Sequence, residues 1–140
     1  MLPELVVFLD ECMPRQLVDI LSAVLCGRPE RPGFVHLLKE LNSGAGDIDW
    51  AKHCKERGYL PLTKDCSRSN NGPKLARVAA SINLFYVVLT PKVAQQDYHE
   101  VARAIVCVWP EIVDAYRTGR SNAKIKKRGD GRSGYWLDVR

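Results

Sequence analysis

Carboxylates close the apolar segments of this sequence at three places. They are Asp10 and Glu11 after the first apolar run, Asp47 and Asp49 at the start of a helical pattern, and Asp65 after a later run. Several carboxylates in one crevice repel one another, so a cation is their natural counter-charge, and oxygen ligands favour Mg²⁺ or Mn²⁺ over zinc. A metal ion held by such ligands can generate hydroxide and stabilise an in-line attack at phosphorus. The position of these acids therefore favours a site for a divalent metal ion.

Three of these acids also have a structural explanation. Asp47 suits the N-cap of a helix, Asp49 complements a helix dipole, and Glu11 suits a position that faces solvent. Asp10 differs from them, because an acid placed directly after a buried strand is poorly explained by packing. Asp10 is therefore the strongest candidate for a functional carboxylate.

Short apolar runs alternate with amphipathic segments and predict the elements that carry these acids. Strands are predicted at residues 6–9, 34–38, 59–63 and 84–89, and a hairpin at 123–128 and 135–139. Helices are predicted from 14 to about 25, at 48–57, at 73–82 and from about 94 to 116. Pro61 predicts a bulge or an unpaired N–H side in the third strand, and Pro110 predicts a break or kink in the last helix.

This order of elements predicts the fold class. Strands that alternate with helices imply an α/β three-layer sandwich with a mostly parallel central sheet, here followed by a C-terminal helix and β-hairpin. In such sheets the ligand crevice lies outside the carboxyl ends of the strands. The acids that follow the predicted strands are therefore expected to meet at one edge of the sheet.

Length and composition suit a single domain. We assign residues 1–140 to it, with a core at about 5–90 and a helical and basic-hairpin extension at about 91–140. No apolar run approaches the ~20 residues of a membrane span, and residues 1–4 lack the basic region of a signal peptide. Five cysteines without a CxxC spacing favour reduced thiols. These features predict a cytoplasmic protein without a membrane partner.

Positive charge is concentrated at the C-terminus. Residues 117–140 contain eight Lys or Arg and two Asp, whereas the rest of the chain contains thirteen Lys or Arg and fourteen Asp or Glu. A solvated surface, a contact with nucleic-acid phosphates and a surface for an acidic protein all suit such a segment. Trp136 suits either a stacking position against bases or the core. The candidate nucleic-acid contacts are Lys124, Lys126, Lys127 and Arg128, together with Lys64 and Arg68 beside the acidic crevice.

Three segments in order resemble the PIN-like nuclease domains. The segment FLDECMPRQL at residues 8–17 resembles their opening pattern, which is roughly LLDENLPxxL. The segments GDIDW at 46–50, Gly58 and LTKD at 62–65 resemble their GxxDxEI…G…LLTxD stretch. The resemblance covers roughly residues 5–90.

The resemblance implies a PIN-like fold and a metal-dependent ribonuclease, commonly the toxin of a toxin–antitoxin pair. It implies Mg²⁺ or Mn²⁺ as the cofactor and RNA as the substrate. Asp10, Asp49 and Asp65 would then be catalytic, and the metal ligands would be these three together with Asp47.

The chain departs from the family pattern at two positions. Such domains often carry another acid where this chain has Ser67, and a polar residue such as Asn where it has Cys12. A catalytically inactive PIN-like domain that binds RNA or protein therefore stays open beside the enzyme. Glu11, Ser67 and Asn70 would support the site by holding water on the metal or contacting phosphate, or would be ordinary turn residues.

A receiver-like signalling module is the remaining alternative, since it too has an acid pair after its first strand and an aspartate after its third. Thr90 after the fourth predicted strand fits that pattern. Lys92, however, follows Pro91, whereas such modules use a Lys-Pro pair at the end of a later strand. As partners besides RNA, an antitoxin protein and a second copy of the chain, forming a homodimer, stay open.

Overall fold

One sheet lies at the centre of the computed structural model, which describes residues 5–42, 44, 46–64, 71–129 and 132–140, with the side chains of 47 and 71–74 outside that description. Within the described residues it has six strands in the spatial order β2-β1-β3-β4-β5-β6. The strands are β1 (Leu5–Leu9), β2 (Pro32–His36), β3 (Leu60–Lys64), β4 (Tyr86–Leu89), β5 (Asn122–Lys127) and β6 (Tyr135–Val139). The first five run parallel, and β6 pairs antiparallel with β5 as the predicted hairpin.

Helices cover both faces of this sheet. They are α1 (Gln16–Leu25), α2 (Leu37–Glu40), α3 (Asp47–Arg57), α4 (Asn71–Ser81), α5 (Pro91–Ala94) and α6 (Tyr98–Arg117). Apolar residues of α1, α5 and α6 pack on one face, and those of α2, α3 and α4 pack on the other. None of the helices in the described residues is both long enough and apolar enough to cross a membrane.

Alternation along the strands divides the core into two layers of side chains. Val7 and Leu9 of β1 lie on the face covered by α1 and α6, whereas Phe8 lies on the opposite face, against Trp50 of α3. Strands buried on both faces read as continuous apolar runs, which is why the sequence predicts them well. The predicted α/β three-layer sandwich with a mostly parallel sheet, a C-terminal helix and a hairpin is confirmed.

The second strand ends earlier than predicted. β2 stops at His36, and the apolar pair that follows it begins α2 instead of continuing the strand. The reason is a cap: the His36 imidazole accepts a hydrogen bond from the backbone N–H of Leu38 at 3.2 Å. Such a cap ends the strand, although the apolar pattern continues.

The predicted C-terminal helix is α6, which begins about four residues later than predicted, and a short helix that the sequence does not predict, α5, precedes it. α5 ends at Ala94, and Asp97 caps α6 by accepting a hydrogen bond from the N–H of Glu100 at 3.0 Å. α6 continues through Pro110, so the predicted break there is wrong. Pro110 is exposed, and the buried apolar stripe on the other side of α6 holds the helix together across the hydrogen bond that proline cannot make.

The start of α3 also differs from the prediction. Gly46 is the N-cap and Asp47 is the first helical residue, so the assignment of Asp47 to the N-cap is wrong. Gly58 ends α3 in the left-handed conformation, with φ +70°, as its place after the helical pattern predicts.

Pro61 lies in β3, between two neighbouring strands, without a bulge. β3 pairs with β1 in continuous register through Pro61, and the N–H of Asp10 donates to the carbonyl of Leu62 on that side. Successive residues of a strand direct their backbone groups to opposite sides, so the nitrogen of Pro61 points towards β4. The pairing with β4 begins only at Leu62, so no residue of β4 loses a hydrogen-bond donor because of the missing N–H of Pro61.

The variant Gly58→Ala is expected to lower the free energy of unfolding by about 1 kcal/mol, because an L-residue resists the left-handed conformation. Lack of space is not the reason, since a Cβ at Gly58 would meet no heavy atom within 4 Å. Gly27→Ala is the matched control, because Gly27 has the same open space without a positive φ. Urea unfolding measures both variants, and equal stabilities would contradict the expectation.

Candidate active site

The order of the strands reverses between β1 and β3. From β1 the chain crosses to β2 on one side, and it then returns to form β3 on the other side of β1. In parallel α/β sheets the crevice at the carboxyl ends of two such strands is the usual ligand site. Asp10 follows β1 at this point, and Thr63 and Lys64 end β3 beside it. Asp65, the next residue, lies outside the described residues.

The carboxylate of Asp10 is held by two short hydrogen bonds. Its Oδ2 accepts from the hydroxyl of Thr63 at 2.7 Å, and its Oδ1 accepts from the backbone N–H of Glu11 at 2.6 Å. The thiol of Cys12 lies 3.5 Å from Oδ2. Asp10 is half-buried and Thr63 is buried, so the carboxylate has a fixed orientation at the end of β1.

Among the described residues, three other shielded acids each have a basic partner, which Asp10 does not have. Glu30 is buried beside Arg28, Glu40 contacts His53, and Asp138 contacts Lys126, each at 3.0 Å or less. The guanidinium of Arg28 holds the pKa of Glu30 below its ordinary value. No Lys, Arg or His lies within ion-pair distance of Asp10 in the part of the chain that the structure describes. Within those residues no ion pair neutralises its charge.

The loop after β1 is anchored from β2. The buried His36 donates from Nε2 to the carbonyl of Met13 at 2.8 Å, because its Nδ1 is occupied as the acceptor from Leu38. The N–H of Met13 in turn donates to the carbonyl of Asp10 at 2.9 Å. His36 therefore fixes the backbone on which the carboxylate stands. The sequence does not predict this role, since His36 has no ligand-like spacing to any other residue.

Glu11 connects the same loop to the segment before α3. Its Oε2 accepts a hydrogen bond from the N–H of Gly44 at 3.1 Å. Gly44 has φ +81°, a conformation that glycine adopts without strain. Glu11 thus acts as a tether at the crevice, whereas its predicted role in holding water on a metal or contacting phosphate stays a prediction.

The structure describes only part of the predicted ligand set. Asp49 is exposed in the first turn of α3. Its carboxylate oxygen Oδ2 lies 3.9 Å from the point where a Cβ would lie if Gly46 carried a side chain. Within the described ranges no three His, Cys, Asp or Glu residues are grouped so that they can hold a metal. The convergence of the acids therefore stays a prediction. The predicted site residues that lie outside the described residues or side chains are Asp47, Asp65, Ser67, Arg68 and Asn70.

The predicted basic contacts lie on different faces of the sheet. Lys64 is half-buried at the end of β3 and, by alternation, faces away from Thr63. Lys124 and Lys126 lie on one face of β5, whereas Lys127 lies on the other and donates to the side-chain carbonyl of Gln96 at 3.3 Å. The candidate surface in the hairpin is therefore one face and not the whole segment.

A protein-family model described as a PIN like domain matches residues 5–88. The matched part runs from β1 into β4 and includes Asp10 and Thr63, whereas α5, α6 and the hairpin lie beyond it. Searches among curated proteins and among solved structures gave no match. The match supports a nuclease-type domain and confirms the family that the sequence motifs indicate.

Replacing Thr63 by Val is expected to lower the free energy of unfolding by about 2 kcal/mol, because a buried donor to a charged acceptor is lost. Thr90→Val is the matched control. The hydroxyl of Thr90 donates at 2.9 Å to the carbonyl of Ile125, which is uncharged, so its loss should cost about 1 kcal/mol. Denaturant unfolding of the two variants tests the difference. A smaller loss at Thr63 than at Thr90 would show that the carboxylate does not depend on this hydroxyl.

Proposed function

Because the chain belongs to the PIN-like domain family, we propose that it is a metal-dependent endoribonuclease that hydrolyses RNA phosphodiester bonds. The observation that carries the proposal is Asp10: a half-buried carboxylate at the strand-order reversal, held by the Thr63 hydroxyl and lacking a basic partner among the described residues. A structural acid in such a place is normally paired, as Glu30 is with Arg28.

The described part of the site contributes the Asp10 carboxylate, an oxygen ligand of the kind that a hard divalent cation prefers. The groups that contact it donate hydrogen bonds and do not cancel its charge. Asp10 and Asp65 would hold Mg²⁺ or Mn²⁺, with Asp49 and Asp47 as the ligands from α3. When bound, such an ion activates water and neutralises charge that develops on a phosphodiester.

The chain's own residues have definable tasks in this proposal. Thr63 keeps one oxygen of Asp10 oriented, and the N–H of Glu11 keeps the other. His36 holds the loop against β2, so the carboxylate cannot swing away when a charged substrate approaches. Fixed orientation of this kind lowers the cost of reorganisation during the reaction.

The biological role that we propose is that of the toxin in a toxin–antitoxin pair, acting on cytoplasmic RNA. The support is the family assignment together with the strongly basic C-terminal segment, which suits either RNA or an acidic antitoxin. A PIN-like domain that binds RNA without cleaving it is the alternative, favoured by Ser67 at the position where the family often has an acid.

The variant Asp10→Asn is expected to reduce cleavage of a labelled single-stranded RNA by at least about a hundredfold. Loss of a group that only hydrogen-bonds to a metal ligand already reduces metal affinity or activity by about 10–100-fold. Far-UV dichroism should not change, and the melting temperature should stay equal or rise, because one unpaired charge is removed. Asp114→Asn, which changes an exposed acid on α6, is the matched control and should retain activity.

Metal dependence is tested on the same preparations. EDTA should abolish cleavage and added Mn²⁺ should restore it in the wild type, but not in Asp10→Asn. Calorimetric titration with Mn²⁺ should show binding to the wild type and weaker binding to the variant. Cleavage that survives both EDTA and Asp10→Asn would overturn the proposal, whereas Mn²⁺ and RNA binding without cleavage would establish the inactive alternative.

A further inference from the structure

Lys124 and Lys126 alternate with core residues along the last parallel strand, and Arg128 follows the end of that strand. Ala123 and Ile125 of β5 are fully buried, so Lys124 and Lys126 point to the opposite face. Arg128 continues the alternation, because its N–H donates to the carbonyl of Gly134 and its side chain lies beside that glycine. Lys124 and Lys126 are therefore spaced about 6.6 Å apart along the strand.

An aromatic ring stands among these cations. Trp136 of β6 is opposite Lys126 in the antiparallel register, and 40% of its surface is exposed. The Lys126 ammonium lies 5.1 Å from the centre of the indole ring and also pairs with Asp138 at 2.8 Å. Lys126 therefore supports the ring and has its own charge partly neutralised. The sequence allowed Trp136 either a stacking position on the surface or a place in the core, and its exposure shows that the core assignment is wrong.

We call this surface the hairpin face (Lys124, Lys126, Arg128 and Trp136). It lies on the side of the hairpin opposite to the helices that make most contacts with the hairpin. α5 and α6 pack on the opposite side of the hairpin, against Ile125 and Tyr135. Neither Lys124 nor Arg128 has a carboxylate within ion-pair distance among the residues that the structure describes. Asp138, which lies opposite Lys124 in the register, pairs with Lys126 and Arg140 instead.

The hairpin face is on the same side of the sheet as Asp10. Thr63, which contacts Asp10, is in register with Val88, and Val88 is in register with Lys124. Residues in register on parallel strands project from the same face. Three strand spacings of about 4.8 Å separate Lys124 from the strand of Asp10, which gives about 14 Å. Val88, in register between them, is buried, so a strand of RNA that contacts both places would pass along the carboxyl edge of the sheet.

We propose that the hairpin face binds a single-stranded segment of the RNA substrate whose scissile phosphate lies at Asp10. Trp136 stacks on a base, and Lys124 and Arg128 contact phosphates on either side of it. A partly exposed aromatic among cations is the arrangement by which proteins hold single strands without reading their sequence. The inference rests on the proposed function, since it takes RNA as the substrate, and it assigns the side from which that RNA arrives.

The test is fluorescence anisotropy with a labelled oligouridylate of about a dozen nucleotides, measured without metal at several salt concentrations. Trp136→Ala should weaken binding about tenfold with an unchanged salt slope, and Trp136→Phe should recover most of the affinity. The double variant Lys124→Ala/Arg128→Ala should reduce the slope of log K against log salt by about 1.4, or about 0.7 for each phosphate contact.

Lys127→Ala is the matched control, because it removes the same charge from the adjacent position on the opposite face. Its affinity should stay within about twofold of the wild type and its salt slope should be nearly unchanged. Far-UV dichroism and melting of every variant verify the fold. If Lys127→Ala weakens binding as much as the double variant, or if Trp136→Ala binds as the wild type does, the inference is wrong.

Cleavage assays separate this inference from the proposed function. If both are right, Trp136→Ala raises KM and leaves kcat unchanged, whereas Asp10→Asn loses kcat and still binds the oligouridylate. A wild type that does not cleave but shows the binding pattern above would refute the enzyme and leave the RNA-binding face intact. If the wild type cleaves RNA and every hairpin-face variant binds RNA as tightly as the wild type does, the proposed RNA-binding role of the hairpin face is wrong. An acidic protein would then be the remaining candidate partner for this face.

Discussion

The hydrogen bond from the Thr63 hydroxyl to Asp10 joins the two strands between which the sheet reverses its order. It brings together residues 53 positions apart in the chain and depends on the register of β1 with β3. A carboxylate that is half removed from water, and that has no basic partner among the residues the structure describes, is costly unless its oxygens accept hydrogen bonds. The hydroxyl of Thr63 and the N–H of Glu11 supply those bonds and so make an isolated charge tolerable at the crevice.

Other contacts around the crevice serve the same constraint. His36 ties the loop after β1 to β2, and Glu11 ties it to the segment that leads into α3 through Gly44. These bonds bring three connections of the sheet to one place without adding a positive charge there. The fold thus concentrates hydrogen-bond donors around Asp10 while keeping its net charge, which is the electrostatic condition for attracting a cation.

The elements of the fold were largely predictable, because parallel strands buried on both faces appear as short apolar runs. The errors came from contacts that local pattern does not encode. The predicted helix break at Pro110 was wrong because the apolar stripe of α6 continues past the proline. The predicted end of β2 was wrong because His36 caps α2 and so ends the strand early. For the site, Asp10 was identifiable from its position after a strand. The roles of Thr63 and His36 were not, since each depends on a partner more than twenty residues away.

The alternation in β5 has a consequence for how the basic segment can vary. Ala123 and Ile125 are both fully buried, so core packing and not charge decides which side of the strand faces solvent. A slip of β5 by one residue in either direction would bring Lys124 to a fully buried position in the apolar layer beneath α5 and α6, at a prohibitive desolvation cost. Moving a lysine by one position along this strand therefore preserves the net charge of the protein while reversing where that charge is presented. Which face of the sheet carries the positive charge therefore depends on whether the cations occupy odd or even positions of the strand. The number of cations alone does not determine it.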